Sequence, residues 1–209
     1  MRTADDLRRV ARRAGLSIVG IERVPAAGGG TTLSARMRFR DPWAAARLLK
    51  ALADEDAADP VVRAWALDIL RAAVATTRPS NDGPTLPARA MRAFNRSAHR
   101  SVQHAIRFVR EPRETFQSAR VTMQSGAGDC DDHARLLHAL AKSIGGHSRL
   151  VFFATQGQPV HVCDELLDPF DSGKGGVWRW AETTVPAAYG EHPRAAFLRL
   201  RAAGKLGVR

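Results

Sequence analysis

Three residue types that could do covalent chemistry together stand well apart in this chain: Cys130, His161 and Glu182. A thiolate attacks a carbonyl when a base takes its proton and an acceptor holds that base in the right tautomer. Cys130 lies in the run Gly126-Ala127-Gly128-Asp129-Cys130-Asp131-Asp132-His133, where a glycine loop gives way to helical spacing. From Cys130 one face carries Ala134, Leu137, Ala141 and Ile144, so the thiol heads a buried stripe at a predicted helix start. Unsatisfied N–H groups and the positive end of the helix dipole favour a thiolate there. Asp129, Asp131 and Asp132 stabilise the same helix start but oppose the thiolate, which an imidazolium has to outweigh.

Seven histidines are available as the base. His133 and His138 share the predicted cysteine helix, where a neighbour points along the surface rather than across at the sulfur. His161 suits the role better, because it opens a strand after the Gln156–Pro159 turn and is flanked by Val160 and Val162. Strand alternation puts Cys163 on the side of His161, as a small buried filler or a redox-sensitive neighbour of Cys130. The next predicted strand places Trp178, Trp180 and Glu182 on one face, with Glu182 able to accept from the imidazole and a tryptophan such as Trp180 to keep water off. The backbone N–H of Cys130 and the side chain of Gln124 are the candidate oxyanion donors.

These residues carry a family pattern. The segments EPRETFQSARVTMQSGAGDCDDHARLLHALAKSIG, VHVCDELLD and VWRWAETTVP resemble the transglutaminase-like cysteine peptidase superfamily, above all its phage and prophage versions. The resemblance covers roughly residues 95 to 190 and is most specific at GDCDDHARLLHAL. It implies an α+β papain-like fold in which a cysteine-bearing helix packs on a small antiparallel sheet. It also implies Cys130 as nucleophile, His161 as base, and no metal cofactor. Glu182 occupies the place where the family usually has Asp, one methylene shorter; Asp164, Asp168 and Asp171 are the fallback acids. The implied activity is a peptidase, amidase or acyltransferase working through a Cys130 thioester on a protein or peptide substrate.

The elements that must position these groups follow from pattern. Thr3 to Gly15 reads as a helix with four arginines on its wet face, and Ser17–Val24 with Thr31–Arg40 as a hairpin. In the second hairpin strand Leu33, Ala35, Met37 and Phe39 alternate with Ser34, Arg36, Arg38 and Arg40, predicting a basic outer face. Asp41-Pro42 and Asp59-Pro60 both signal helix starts. Thr76 to Pro87, dense in Pro, Ser, Asn and Gly, reads as a linker. The predicted domains are therefore an accessory unit of helices and hairpin over residues 1–80 and a catalytic domain over 85–209. A long helix from about Ala88 to Val109 turns Arg89, Arg92, Arg96 and Arg100 outward, and an irregular stretch from Arg110 to Ser125 leads to the cysteine loop. Strands follow at Ser148–Thr155, Val160–Leu167 and Val177–Thr184.

The chain has 209 residues, 44% of them hydrophobic, which suffices for one good core. Its net charge of +11 suits an acidic partner, with the Arg89/Arg92/Arg96/Arg100 stripe as the candidate surface, although arginines spread along the whole chain also fit a merely basic composition. Two cysteines do not make a disulfide scaffold, and no stretch approaches the roughly 18 apolar residues that span a bilayer. The expected setting is a reducing bacterial cytoplasm, with association to a virion an extension of the phage resemblance. Two other readings compete. Asp129, Cys130, Asp132, His133 and His161 are all possible metal ligands, but no CxxC or HExxH pairing supports them. Alternatively the chain keeps the fold as an inactive phage structural or assembly protein that binds a partner.

Overall fold

A computed structural model of the chain describes residues 3–13, 16–25, 31–38, 41, 43–76, 86–110, 116–172 and 174–205. In order these form α1 (Ala4–Arg13), β1 (Ser17–Pro25), β2 (Thr31–Arg38), α2 (Ala44–Asp56), α3 (Pro60–Ala75) and α4 (Leu86–Ala105). Then come β3 (Arg107–Phe108), α5 (Ala119–Ser125), β4 (Ala127–Gly128), α6 (Cys130–Ser143), β5 (Ser148–Thr155), β6 (Gln158–Pro169), β7 (Gly176–Ala181) and α7 (Pro193–Ala202). The small antiparallel sheet β5-β6-β7 and the helices packed on it make an α+β core.

Helix α6 runs through the middle. Leu136, Leu137 and Leu140 are fully buried on it, each contributing about 1.5–3 kcal/mol by leaving water. They meet Val62, Ala66 and Ile69 of α3, Phe94, Ala98 and Val102 of α4, and Leu166 of β6 in one apolar cluster. A second, smaller cluster joins α1 to α2 through Val10, Ala11, Leu48 and Leu52. A buried ion pair ties α2 to α6 as well: Arg135 Nε donates to Asp56 Oδ2 at 2.6 Å, and Asp56 also accepts from the Ala119 backbone. Arg135 Nη1 reaches the Phe116 carbonyl at 3.1 Å. Helices α2 and α3 therefore pack directly against the helix that carries Cys130.

Several boundaries differ from the sequence reading, each for a local reason. Asp59-Pro60 does start α3, with the Asp59 side chain accepting from Val61 N. After Asp41 the helix waits until Ala44, because the Asp41 carboxylate turns onto Trp43 N instead and no side chain caps α2. Helix α4 ends at Ala105, where Ile106 turns inward and β3 pairs in parallel with β4, leaving Val109 exposed. The stretch expected to be irregular contains α5, capped by Ser118 and closed by Gly126 in the left-handed region at φ 62°. On the α4 stripe Arg96 and Arg100 are exposed, but Arg92 is committed to its own chain through the Pro169 carbonyl and Asp171. The basic face expected on the second hairpin strand, and most of the linker expected at 76–87, lie outside what is described. Among the described residues no helix is long and apolar enough to cross a membrane.

Candidate active site

Cys130 is the first residue of α6, and the loop before it is built to hold that position. Asp129 caps the helix by accepting from Asp131 N at 3.3 Å, while the Asp132 side chain reaches back to Asp129 N, a reciprocal capping box. Asp132, fully buried, also accepts from the backbone and side-chain amide of Gln117, both at 2.8 Å. Gly128 has to be glycine here: a Cβ on it would stand 2.6 Å from the Asp132 Cβ. The backbone on either side is pinned to β3, with Arg107 N donating to Gly126 O and Val109 N to Gly128 O. The acidic residues around the thiol are thus the machinery that fixes the helix start.

His161 sits on β6 opposite Phe153 of β5, just after a register irregularity at Phe153/Ala154. Its ring stacks on Phe153 and meets Phe197 of α7 edge-on, with centroids 5.9 and 5.6 Å away. Nε2 donates to Glu182 Oε2 at 2.6 Å, which leaves Nδ1 as the nitrogen able to accept a proton. Glu182 lies one residue past the end of β7 and is fully buried. Burial pushes its carboxyl up, but the hydrogen bond and charge of His161, with two donors from Thr184, outweigh that and hold it below its ordinary value. Both Thr184 contacts go to the other oxygen, Oε1, from the backbone N at 2.7 Å and the hydroxyl at 2.6 Å. One carboxylate oxygen is therefore reserved for the histidine.

Cys130 and His161 line one open cleft of about 120 Å³, together with Asp129, Phe116, Phe152 and residues of α2. Cys163 is buried beneath it, where desolvation first, and then the charge of Glu182, raises its thiol well above the ordinary range. Neither cysteine is in a disulfide. Trp180 is half-buried beside Phe153 and His192, at centroid distances of 6.0 and 4.6 Å. Gln124 is elsewhere: it lies on the exposed side of α5 and does not line the cleft, because α5 turns that side to solvent. The fallback acids have other partners. Asp164 accepts from Ser148 Oγ at 2.7 Å, Asp168 from Asn95 and Tyr189, and Asp171 from Arg92.

His133 does not point along the surface. It is 1% exposed and tilted against Phe108, and burial lowers its pKa to about 4 against the pull of Glu182 and Asp129. It is a neutral packing residue at neutral pH. Sequence reasoning also passed over the residues that hold Glu182. His99 Nε2 donates to the Glu182 carbonyl at 2.7 Å, and Gln103 Nε2 reaches the carbonyls of Glu182, Val185 and Ala187. The signal available was the four-residue spacing of Asn95, His99 and Gln103 along α4, a polar row beside its apolar stripe.

As a metal site the cluster is poor. Among the described residues the group that could converge on an ion is Asp129, Cys130 and Asp131, with ligand atoms within 4.8 Å of one another. Neither His133 nor His161 joins it, and two carboxylates with one thiolate and no imidazole do not match a structural zinc set.

Comparison with known families adds one match. Residues 76–187, more than half of the chain, match the transglutaminase-like superfamily, and the chain belongs to it. No curated protein and no solved structure matches.

Proposed function

We propose that this member of the transglutaminase-like superfamily is a cysteine-dependent amide hydrolase whose nucleophile is Cys130, with His161 as the base and Glu182 as the acceptor that orients it. The observation that carries this reading is the 2.6 Å His161–Glu182 contact on a histidine that opens onto the same cleft as a cysteine at a helix start. The thiol of Cys130 gives its proton to Nδ1 of His161, and the buried carboxylate stabilises the imidazolium that results. The thiolate sulfur adds to the carbonyl carbon of a peptide or glutamine side-chain amide. Negative charge gathers on the former carbonyl oxygen, at the helix N-terminus where backbone N–H groups of the first turn point.

The imidazolium then returns the proton to the amide nitrogen, the C–N bond breaks, and a Cys130 thioester remains. Water resolves it, giving its proton to His161 and leaving a carboxylic acid and the restored thiol. A primary amine in place of water would give a new amide and make the enzyme an acyltransferase. Hydrolysis is the preferred outcome, since bacterial members of the family that the sequence resembles are more often regarded as peptidases. Two unbridged thiols suit a reducing compartment, and a bacterial cytoplasm is the setting of this reading, with phage origin an extension of the sequence resemblance.

The test is the pH dependence of iodoacetamide alkylation at Cys130 in the wild type and in His161→Ala. An apparent thiol pKa well below about 8.5, rising when His161 is removed, is the expected result. Sluggish alkylation that the substitution leaves unchanged would overturn the catalytic reading in favour of a binding role for the same fold.

A further inference from the structure

The cleft beside Cys130 is closed on one side by residues that lie outside the segment matching the family. Ala45, Ala46 and Leu49 of α2 line it, and the family match begins only at residue 76. Phe116, Phe152 and Val162 complete an apolar surface around the thiol. The two alanines leave the gap: larger side chains at those positions of α2 would occupy it. Leu49, 1% exposed, forms its floor with Val162 and Ala134 in a small cluster that Cys130 and Phe152 also contact.

The position of this wall is fixed relative to the sulfur. Asp56, in the last turn of α2, is paired with Arg135 of α6 at 2.6 Å with both side chains buried. Asp54 of α2 approaches His138 of α6 at 3.1 Å. Arg135 also holds the carbonyl of Phe116, so one guanidinium positions both the helix and the loop that line the cleft. A gap bounded by parts this firmly tied together is a shaped subsite. Asp129 and Asp131 both line the same cleft, and the negative charge of the part-exposed Asp129 repels an acidic side chain there.

From this geometry, and resting on the hydrolase reading above, we propose that α2 forms the specificity wall of the enzyme and selects substrates with a branched aliphatic side chain next to the attacked carbonyl. A cleft of about 120 Å³ admits such a group, and each extra methylene seated in an apolar pocket changes a specificity ratio by roughly 10–200-fold.

The test uses N-acetyl aminoacyl chloromethyl ketones built on glycine, valine, leucine, phenylalanine and aspartate, with alkylation of Cys130 in the full chain followed by intact mass. The wild type is expected to react at least about tenfold faster with the valine or leucine probe than with the glycine probe, and slowest with aspartate. Ala45→Leu narrows the cleft and is expected to bring the valine-to-glycine ratio close to one. Leu49→Ala widens it and is expected to raise the phenylalanine rate relative to valine. Because the two changes act in opposite directions, misfolding of one leaves the other to decide. Identical probe ratios in all three proteins would overturn the proposal. An activated thiol in the iodoacetamide profile together with indifference to the probe side chain would sink this inference alone, whereas an unreactive thiol toward every reagent would overturn both readings.

Discussion

Glu182 Oε2 and His161 Nε2 stand 2.6 Å apart, while the second carboxylate oxygen of Glu182 is held by Thr184. Replacing Glu182 with Gln keeps the bulk but presents either an amide N–H₂ or a neutral carbonyl to the imidazole. Loss of the preferred tautomer and of the charge that supports the imidazolium is expected to slow acylation by about 10²-fold or more. The same change should raise the apparent pKa for Cys130 alkylation. Glu182→Asp should behave almost as badly, because a side chain one methylene shorter cannot reach His161 from a backbone held by His99 and Gln103. A Glu182→Gln protein with an unaltered alkylation profile would show that this carboxylate has no part in activating the thiol.

Stability should fall with acid in a window set by His133. Burial holds its folded pKa near 4, below the ordinary 6.5. Between those values the unfolded chain binds a proton that the folded chain refuses. The contribution is therefore complete above about pH 6.5 and is lost as pH drops toward 4, at up to about 1.4 kcal/mol per pH unit. Glu182, depressed below its ordinary value, adds a loss in the same direction at still lower pH. Thermal melts from pH 7.5 to 4.5 should show the decline, and His133→Leu should flatten the upper part of it. Parallel curves for the two proteins would contradict the assignment.

Breaking the Arg135–Asp56 pair should cost far more than its surface counterparts. Both groups are almost fully buried, and Asp56 also satisfies Ala119 N. Arg135→Ala or Asp56→Ala leaves a buried charge without its partner, an effect of about 3–5 kcal/mol. Arg71→Ala, which removes an exposed partner of Asp68, should cost less than about 1 kcal/mol. Urea midpoints of the three variants would measure the contrast.

Gly128→Ala tests the loop directly. The added methyl would collide with Asp132, so the capping box must shift or break. A loss of about 1–3 kcal/mol is expected, with slower alkylation of Cys130 as the helix start moves. Gly157→Ala is a useful companion, since there the added methyl meets nothing within 4 Å and the strain comes only from φ 77°.

How much of this was legible beforehand depended on the range of the interaction. The Cys130 helix start announces itself in local spacing, and the structure begins α6 at that residue. Strand β5 falls on Ser148–Thr155 as its β-rich run predicts. His133 was misjudged because helical position alone does not say which neighbours arrive, and here Phe108 of β3 covers it. The end of α4 was placed too late since its apolar spacing continues past Ala105, while pairing of Arg107 with Ala127 ends the helix. The cleft wall on α2 was out of reach for the same reason: nothing within residues 44–56 points to a site until α6 packs beside them.

The long reach of these contacts also sets an order in time. Glu182 is held through its carbonyl by His99, 83 residues earlier, and Asp56 waits 79 residues for Arg135. A ribosome that has delivered Cys130 has made the proposed nucleophile but neither the proposed base, His161, nor the carboxylate behind it, Glu182. Helix α4 and its polar row must meanwhile stay open for a partner not yet synthesised. Contacts so distant in sequence form late in folding. The growing chain thus carries Cys130 among its unfinished neighbours, and the proposed activation of its thiol waits until the segment around residue 182 docks on α4.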